Sequence, residues 1–163
     1  TGALTPVTLT SNHSSTAAII ESLTITAADE VGYTNTVAAL KAAQAELNSP
    51  RHSPDARRAL ILLTDGLPTA QGDTINIVEE AKALAATVAD SGVEIYAIGL
   101  GAGVNNEFVN SIASDAAYAY FAPKTEDLDS IYATITGSLC ESGATRIDVI
   151  AKTPTNFTPL EGN

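Results

Sequence analysis

The sequence predicts an α/β fold, a doubly wound, mostly parallel sheet flanked by helices. Three observations carry that expectation. Segments of strand and helix character alternate from end to end. Two strand-like segments, "ALILLT" (59–64) and "VEIYAIGLG" (93–101), are nearly continuous apolar runs. The stretches between strands place apolar residues at helical spacing. A strand that is apolar at every residue has both faces covered, as in a parallel sheet between two helical layers.

Taken in order, "PVTLT" (6–10) reads as a short strand and "STAAIIESL" (15–23) as a helix opened by Ser/Thr caps. The segment 36–47 is rich in strong helix formers and sets Leu40, Ala43 and Leu47 on one face. The stretch 48–58 is polar, carries two prolines and must be loop. After the strand 59–64, the helix 74–90 turns Ile77, Ala81, Leu84 and Val88 inward, and Gly92 ends it where a helix C-terminus favours glycine. The strand 93–101 leads to a short helix (105–114), a strand (117–122) and a helix (125–139) with Leu128, Ile131, Ile135 and Leu139 facing in. "TRIDVIAKT" (145–153) alternates like a strand and is followed by a proline-containing tail.

At 163 residues, with 45% hydrophobic and 17% charged residues, the chain has the length and composition of one globular domain. Nineteen acids against eight bases give a formal charge of −11 and a pI near 4.3. Such a surface repels phosphate backbones, which argues against a nucleic-acid partner. No run in the sequence is long enough for a membrane span, and no stretch of it reads as a signal peptide. The absence of methionine suggests a mature or excised piece, and the Thr/Ala/Ser/Asn-rich, lysine-poor composition suits a secreted or surface protein. Asn12 and Asn156 open N-x-Ser/Thr sequons that could carry glycans in a eukaryotic secreted chain. The single cysteine, Cys140, reads either as a small buried hydrophobe or as one half of a disulfide whose partner lies outside this sequence.

Catalysis finds little support. His13 and His52 lie in polar stretches and no nucleophile elbow occurs. One cysteine and two scattered histidines make no zinc set. The segment "GLGAG" (99–103) has Val104 where a dinucleotide fingerprint needs glycine, so it reads as a strand-to-helix turn. No enzyme is expected.

What remains is Asp65 in "LLTDGLPT" together with "GYTNT" (32–36). Ligands of open α/β sheets bind at the carboxyl ends of strands, where Asp65 stands. Asp65 and the Thr34 hydroxyl are hard oxygen ligands suited to a cation such as Mg²⁺. Equally, Thr34 could cap the helix beginning near Thr36, and Asp65 could form an Asx turn.

"GYTNTVAALKAAQAEL", "RRALILLTDGLPT" and "VEIYAIGLG" together resemble the von Willebrand factor type A domain, over roughly residues 1–140. The resemblance is most specific in the Thr-Asn-Thr helix start and the Thr-Asp-Gly strand tip. It implies a Rossmann-like sheet and a metal-ion-dependent adhesion site, with Thr34 as the threonine ligand and Asp65 as the distal aspartate. The ion, usually Mg²⁺, would bind an acidic group of a protein partner. The family's founding Asp-x-Ser-x-Ser loop, however, is absent from this sequence. Aligned to the family, residue 1 falls near the third strand, so the fold is expected to be incomplete at the N-terminus, lacking the first strand, first helix and second strand. Two oxygens without the founding ligands would hold a divalent cation weakly.

Many extracellular members join the segment before the first strand to the end of the last helix by a disulfide. By that resemblance, the partner of Cys140 lies in the missing part. "RIDVIAK" is patterned like a family first strand, but Lys152 stands where an aspartate would be needed.

The resulting expectation is a partial type A domain over 1–140. Residues 141–163 then form a strand and tail, either the start of a further module or an exchange strand. The functional expectation is an extracellular or cell-surface adhesion or assembly module, with a protein ligand or neighbouring subunits as partners. The competing one is a structural subunit of a filament or appendage, using the fold for packing or strand exchange without a working metal site.

Overall fold

A computed structural model describes residues 7–23, 34–69 and 76–141. Within them the chain forms α1 (His13–Ser22), α2 (Thr36–Leu47), β1 (Arg58–Thr64), α3 (Ile77–Asp90), β2 (Val93–Leu100), α4 (Asn106–Ile112), a 3₁₀ turn (Ala116–Tyr118), β3 (Ala119–Ala122) and α5 (Asp127–Glu141). The described strands make one parallel sheet in the order β1-β2-β3. Arg58 lies opposite Val93, Thr64 opposite Gly99 and Leu100 opposite Ala122.

The continuous apolar runs are explained by two cores, one on each face of the sheet. Leu60, Val93, Ile95 and Ala97 point to the side covered by α2, α3 and α4. Ile61, Tyr96, Ile98 and Ala122 point to the other side, where α5 contributes Leu128, Ile131, Ile135 and Leu139. Alternate residues of one strand thus serve different layers, which makes the strand interiors apolar on both faces. The four α5 residues are those the helical spacing selected.

Asparagine begins α1 to α4. The side-chain oxygens of Asn12, Asn35, Asn76 and Asn105 accept the N–H groups of Ser15, Ala38, Glu79 and Phe108, each satisfying one of the orphan donors of a first turn. The expected Ser/Thr cap of α1 is therefore corrected to Asn12. Likewise α3 starts at Ile77 rather than 74, since Asn76 sets its beginning. Its most buried residues are Ala81, Ala85 and Val88, while Ile77 and Leu84 are partly buried. Gly92 follows the helix at φ +85°, the left-handed conformation its place after the C-terminus requires.

The strand expected over 6–10 is not formed at Val7–Thr10. The Leu9 N–H donates to Glu46 Oε1 at 2.7 Å, so a side chain of α2, not a neighbouring strand, satisfies it. Glu46 is buried and also accepts Arg51 Nε and Nη2, at 2.8 and 2.7 Å. The expected strand 117–122 is shortened to β3, its first residues being taken by the 3₁₀ turn. The segment 145–153 lies outside the described residues.

Candidate functional site

β1 delivers Thr64, buried, and then Asp65, exposed, at its carboxyl end. Thr64 Oγ1 donates to the Gly66 carbonyl at 2.7 Å, and the Gly66 N–H approaches the same oxygen at 3.4 Å. The tight turn is therefore held by the threonine. Among the described residues no hydrogen bond or ion pair engages the Asp65 carboxylate. The Asx turn considered for Asp65 gives way to a Ser/Thr-type turn centred one residue earlier.

Thr34 stands on the neighbouring loop. Its N–H donates to Thr69 Oγ1 at 2.9 Å, and the Thr69 N–H donates to its carbonyl at 2.9 Å. This two-way clamp fixes the start of α2 against the loop that leaves β1, four residues after Asp65. The cap of α2 is Asn35, whose Oδ1 accepts the Ala38 N–H at 2.9 Å. Thr34 therefore does not cap the helix, and among the described residues its hydroxyl has no hydrogen-bond partner.

Thr34 and Asp65 offer hard oxygen donors of the kind a small divalent cation takes beside several waters. They do not fit a complete protein cage. Among the described residues no group of three or more His, Cys, Asp and Glu side chains could hold a metal ion.

The other candidates are scattered. His13 is exposed on α1. His52 lines a groove with Asn48, Arg57, Arg58 and Gly92, beside the strands' amino ends and so at the opposite end of the sheet from Asp65. Gly99 is buried in β2, where an added Cβ would lie 3.0 Å from both Val104 and Val109. Close packing of α4 on the strand thus accounts for the first glycine of "GLGAG". Cys140 is exposed and free, which corrects the buried reading. Asn12 is exposed while its Oδ1 caps α1; Asn156 lies outside the described residues.

A polar network at the amino end of the sheet was not anticipated from the sequence. Arg57 forms a bidentate pair with Glu94, and Tyr96 Oη donates to Glu94 Oε2 at 3.0 Å. The Tyr96 ring is fully buried and stacks on Tyr118 at 4.4 Å. Burial pushes its hydroxyl up to about 12. The hydrogen bond to Glu94 keeps the Arg57 guanidinium charged beyond its ordinary range. The available signal was Glu94, a lone acid in an otherwise apolar strand.

Comparison with known proteins agrees with this architecture. The von Willebrand factor type A domain profile matches residues 3–134. Sporozoite surface protein 2 of Plasmodium yoelii yoelii is 34% identical over 88 residues, covering 54% of this chain and 10% of that protein. Among solved structures, proximal thread matrix protein 1 from the mussel byssus aligns with a TM-score of 0.67 at 21% identity, over 82% of this chain and 33% of that one. A form of the same protein described as having a zinc-occupied MIDAS motif aligns at 0.61 and 24%, over 80% of this chain and 30% of that one. The pilus adhesin SpaC from Lactobacillus rhamnosus GG aligns at 0.50 and 18%, over 68% and 19%. The chain thus spans about a tenth of the curated relative and a third or less of these solved chains. The profile match and the parallel sheet between two helical layers lead to one assignment: the chain belongs to the von Willebrand factor type A family.

Proposed function

We propose that this domain is an extracellular or surface-displayed recognition module that binds a protein partner through a divalent cation, with Thr34 and Asp65 as two of the protein ligands. The observation that carries the reading is that neither side chain has a hydrogen-bond or ion-pair partner among the described residues. Asn35 does the capping and Thr64 holds the turn, so the Thr34 hydroxyl and the Asp65 carboxylate are left available on loops clamped together by Thr69. The ion, when bound, supplies a positive charge that an acidic group of the partner can ligate. The remaining oxygens come from waters and from residues other than those described. The extracellular location is supported by what the similar proteins are: a sporozoite surface protein, a byssus thread protein and a pilus adhesin. The exposed Cys140 suits a disulfide with a cysteine beyond this sequence, and the exposed Asn12 a glycan.

Titration with Mn²⁺ alone, followed by amide NMR, tests the cation site. Broadening centred on Thr34 and Asp65, reversed by EDTA and lost in both Thr34→Ala and Asp65→Ala, is the expected result. Broadening that ignores both substitutions overturns the reading.

A structural-subunit reading is favoured by a different observation, the lack of a second strand partner for β1 among the described residues. It requires assembly that neither Asp65→Ala nor a chelator changes, whereas the cation reading requires EDTA-sensitive partner binding that Asp65→Ala abolishes.

A further inference from the structure

Positive charge in this chain is concentrated at one place. Arg51, Arg57 and Arg58 stand close together with His52, and the segment 51–58, with three arginines and one aspartate, carries a formal charge of +2 in a chain of −11. His52, Arg57 and Arg58 line a groove at the amino ends of the strands, with a volume of about 700 Å³ and apolar walls that include Leu47, Pro50 and Pro54.

The three guanidiniums are held differently. Arg51 and Arg57 are paired with the carboxylates of Glu46 and Glu94, so their charge is balanced within the fold. Arg58 is held instead by two neutral oxygens: Nη1 donates to Asn48 Oδ1 at 2.8 Å and Nη2 to the Ser91 carbonyl. These bonds fix its position without neutralising its charge, and a guanidinium has further N–H donors for another acceptor. Gly92 completes the seat, since an added Cβ would lie 3.2 Å from Arg58 Nη2. Among the described residues, neither Asp55 nor Asp90, the acids nearest in sequence to the groove, forms an ion pair with Arg58.

The wall facing this charge is preformed. The His52 N–H donates to the Ser49 carbonyl and the Ala56 N–H to the Ser53 carbonyl, both at 3.0 Å, so the loop is built of two successive turns. Pro50 and Pro54 add fixed φ angles. A wall of this kind loses little freedom when a ligand binds. On it, His52 Nε2 is buried and has no hydrogen-bond partner among the described residues. A buried polar atom calls for a partner, and an imidazole nitrogen can donate to a carboxylate oxygen.

We propose that this groove is a second protein-binding site, which takes an acidic peptide segment of a partner. One carboxylate sits on the Arg58 guanidinium and His52, and a neighbouring apolar side chain packs against Leu47 and the two prolines. A planar guanidinium matches a carboxylate in bidentate fashion. Sulfated polysaccharides and nucleic acids fit less well, because such polyanions bind through several cations at once. Here two of the three arginines are already balanced, and the whole chain is acidic. The apolar walls favour a peptide over a free inorganic anion.

The site lies at the opposite end of the sheet from Asp65 and does not rest on the cation reading. Its test is run in EDTA, so the two stay separate. Amide spectra of the full chain are followed while the blocked peptide acetyl-Leu-Glu-Leu-Glu-Leu-amide is added. A control peptide has Gln in place of Glu, and a heparin hexasaccharide is the third probe. Saturable shifts centred on Asn48, His52, Arg58 and Gly92 are expected, with binding at least tenfold weaker for the Gln peptide and for Arg58→Gln. Equal affinity for the two peptides, or binding that ignores Arg58→Gln, overturns the proposal. So does a groove shifted by heparin alone, or shifts there that grow with protein concentration before peptide is added, which would mark a second copy as the occupant. Should Arg58→Gln fail to fold, the shift map of the unaltered chain decides: shifts elsewhere, or none, reject the site.

Discussion

Thr34 and Thr69 hold each other through two hydrogen bonds: each N–H donates to the other residue, one to a hydroxyl and one to a carbonyl, both at 2.9 Å. The pair joins residues 35 apart in sequence and gives the Asp65 loop and the start of α2 a common frame. Thr69→Val removes the hydroxyl acceptor but leaves the backbone bond. It is expected to cost about 0.5–1.5 kcal/mol of stability and to weaken cation-induced shifts at Thr34 and Asp65 together. Urea unfolding and Mn²⁺ titration of the same variant check both effects.

Asn35 and Thr34 are expected to separate cleanly on substitution. Asn35→Ala removes the acceptor for the Ala38 N–H and should cost about 0.5–2 kcal/mol, as lost caps do. Thr34→Ala removes a hydroxyl with no partner among the described residues and should stay within about 0.5 kcal/mol of the parent. Thermal melts at matched pH distinguish the two.

Alkaline stability should depend on Tyr96. Burial raises its folded-state pKa to about 12, against roughly 10 in an unfolded chain. A raised pKa means that the neutral phenol's contribution is fully present below pH ~10 and is lost as the pH climbs through ~12. Tyr96→Phe should lower stability at neutral pH by about 0.5–1.5 kcal/mol through the lost bond to Glu94. It should also make the decline between those pH values shallower, measurable by urea unfolding at a series of pH values.

Gly99 is expected to be intolerant and Gly103 tolerant. Gly99→Ala would drive a methyl against Val104 and Val109 at 3.0 Å, whereas a Cβ at Gly103 meets nothing within 4 Å. The first should cost about 1–3 kcal/mol, as overpacking does. Combining it with Val104→Ala should recover part of that loss, giving a positive coupling in a double-mutant cycle.

The sheet was legible because its chemistry is local. Leu60 to Leu63 and Ile95 to Ile98 are nearly continuous apolar runs, and Leu128, Ile131, Ile135 and Leu139 recur at the helical period, so strand, helix and buried face follow from spacing alone. The strand expected at 6–10 failed for the opposite reason. A strand exists only where another supplies partners, and the Leu9 N–H found the Glu46 carboxylate instead.

By itself the sequence determined the α/β class, the places of β1, β2, α2, α3 and α5, and the pairing of Thr34 with Asp65 as the residues worth examining. Only the tertiary structure decided what those two side chains are free to do. Capping and turn formation are contests between adjacent residues with similar oxygens, and sequence cannot rank Thr34 against Asn35 or Asp65 against Thr64. The fold ranks them by geometry. Asn35 Oδ1 reaches the Ala38 N–H, Thr64 Oγ1 reaches the Gly66 carbonyl, and Thr69, far along the chain, locks the two loops together.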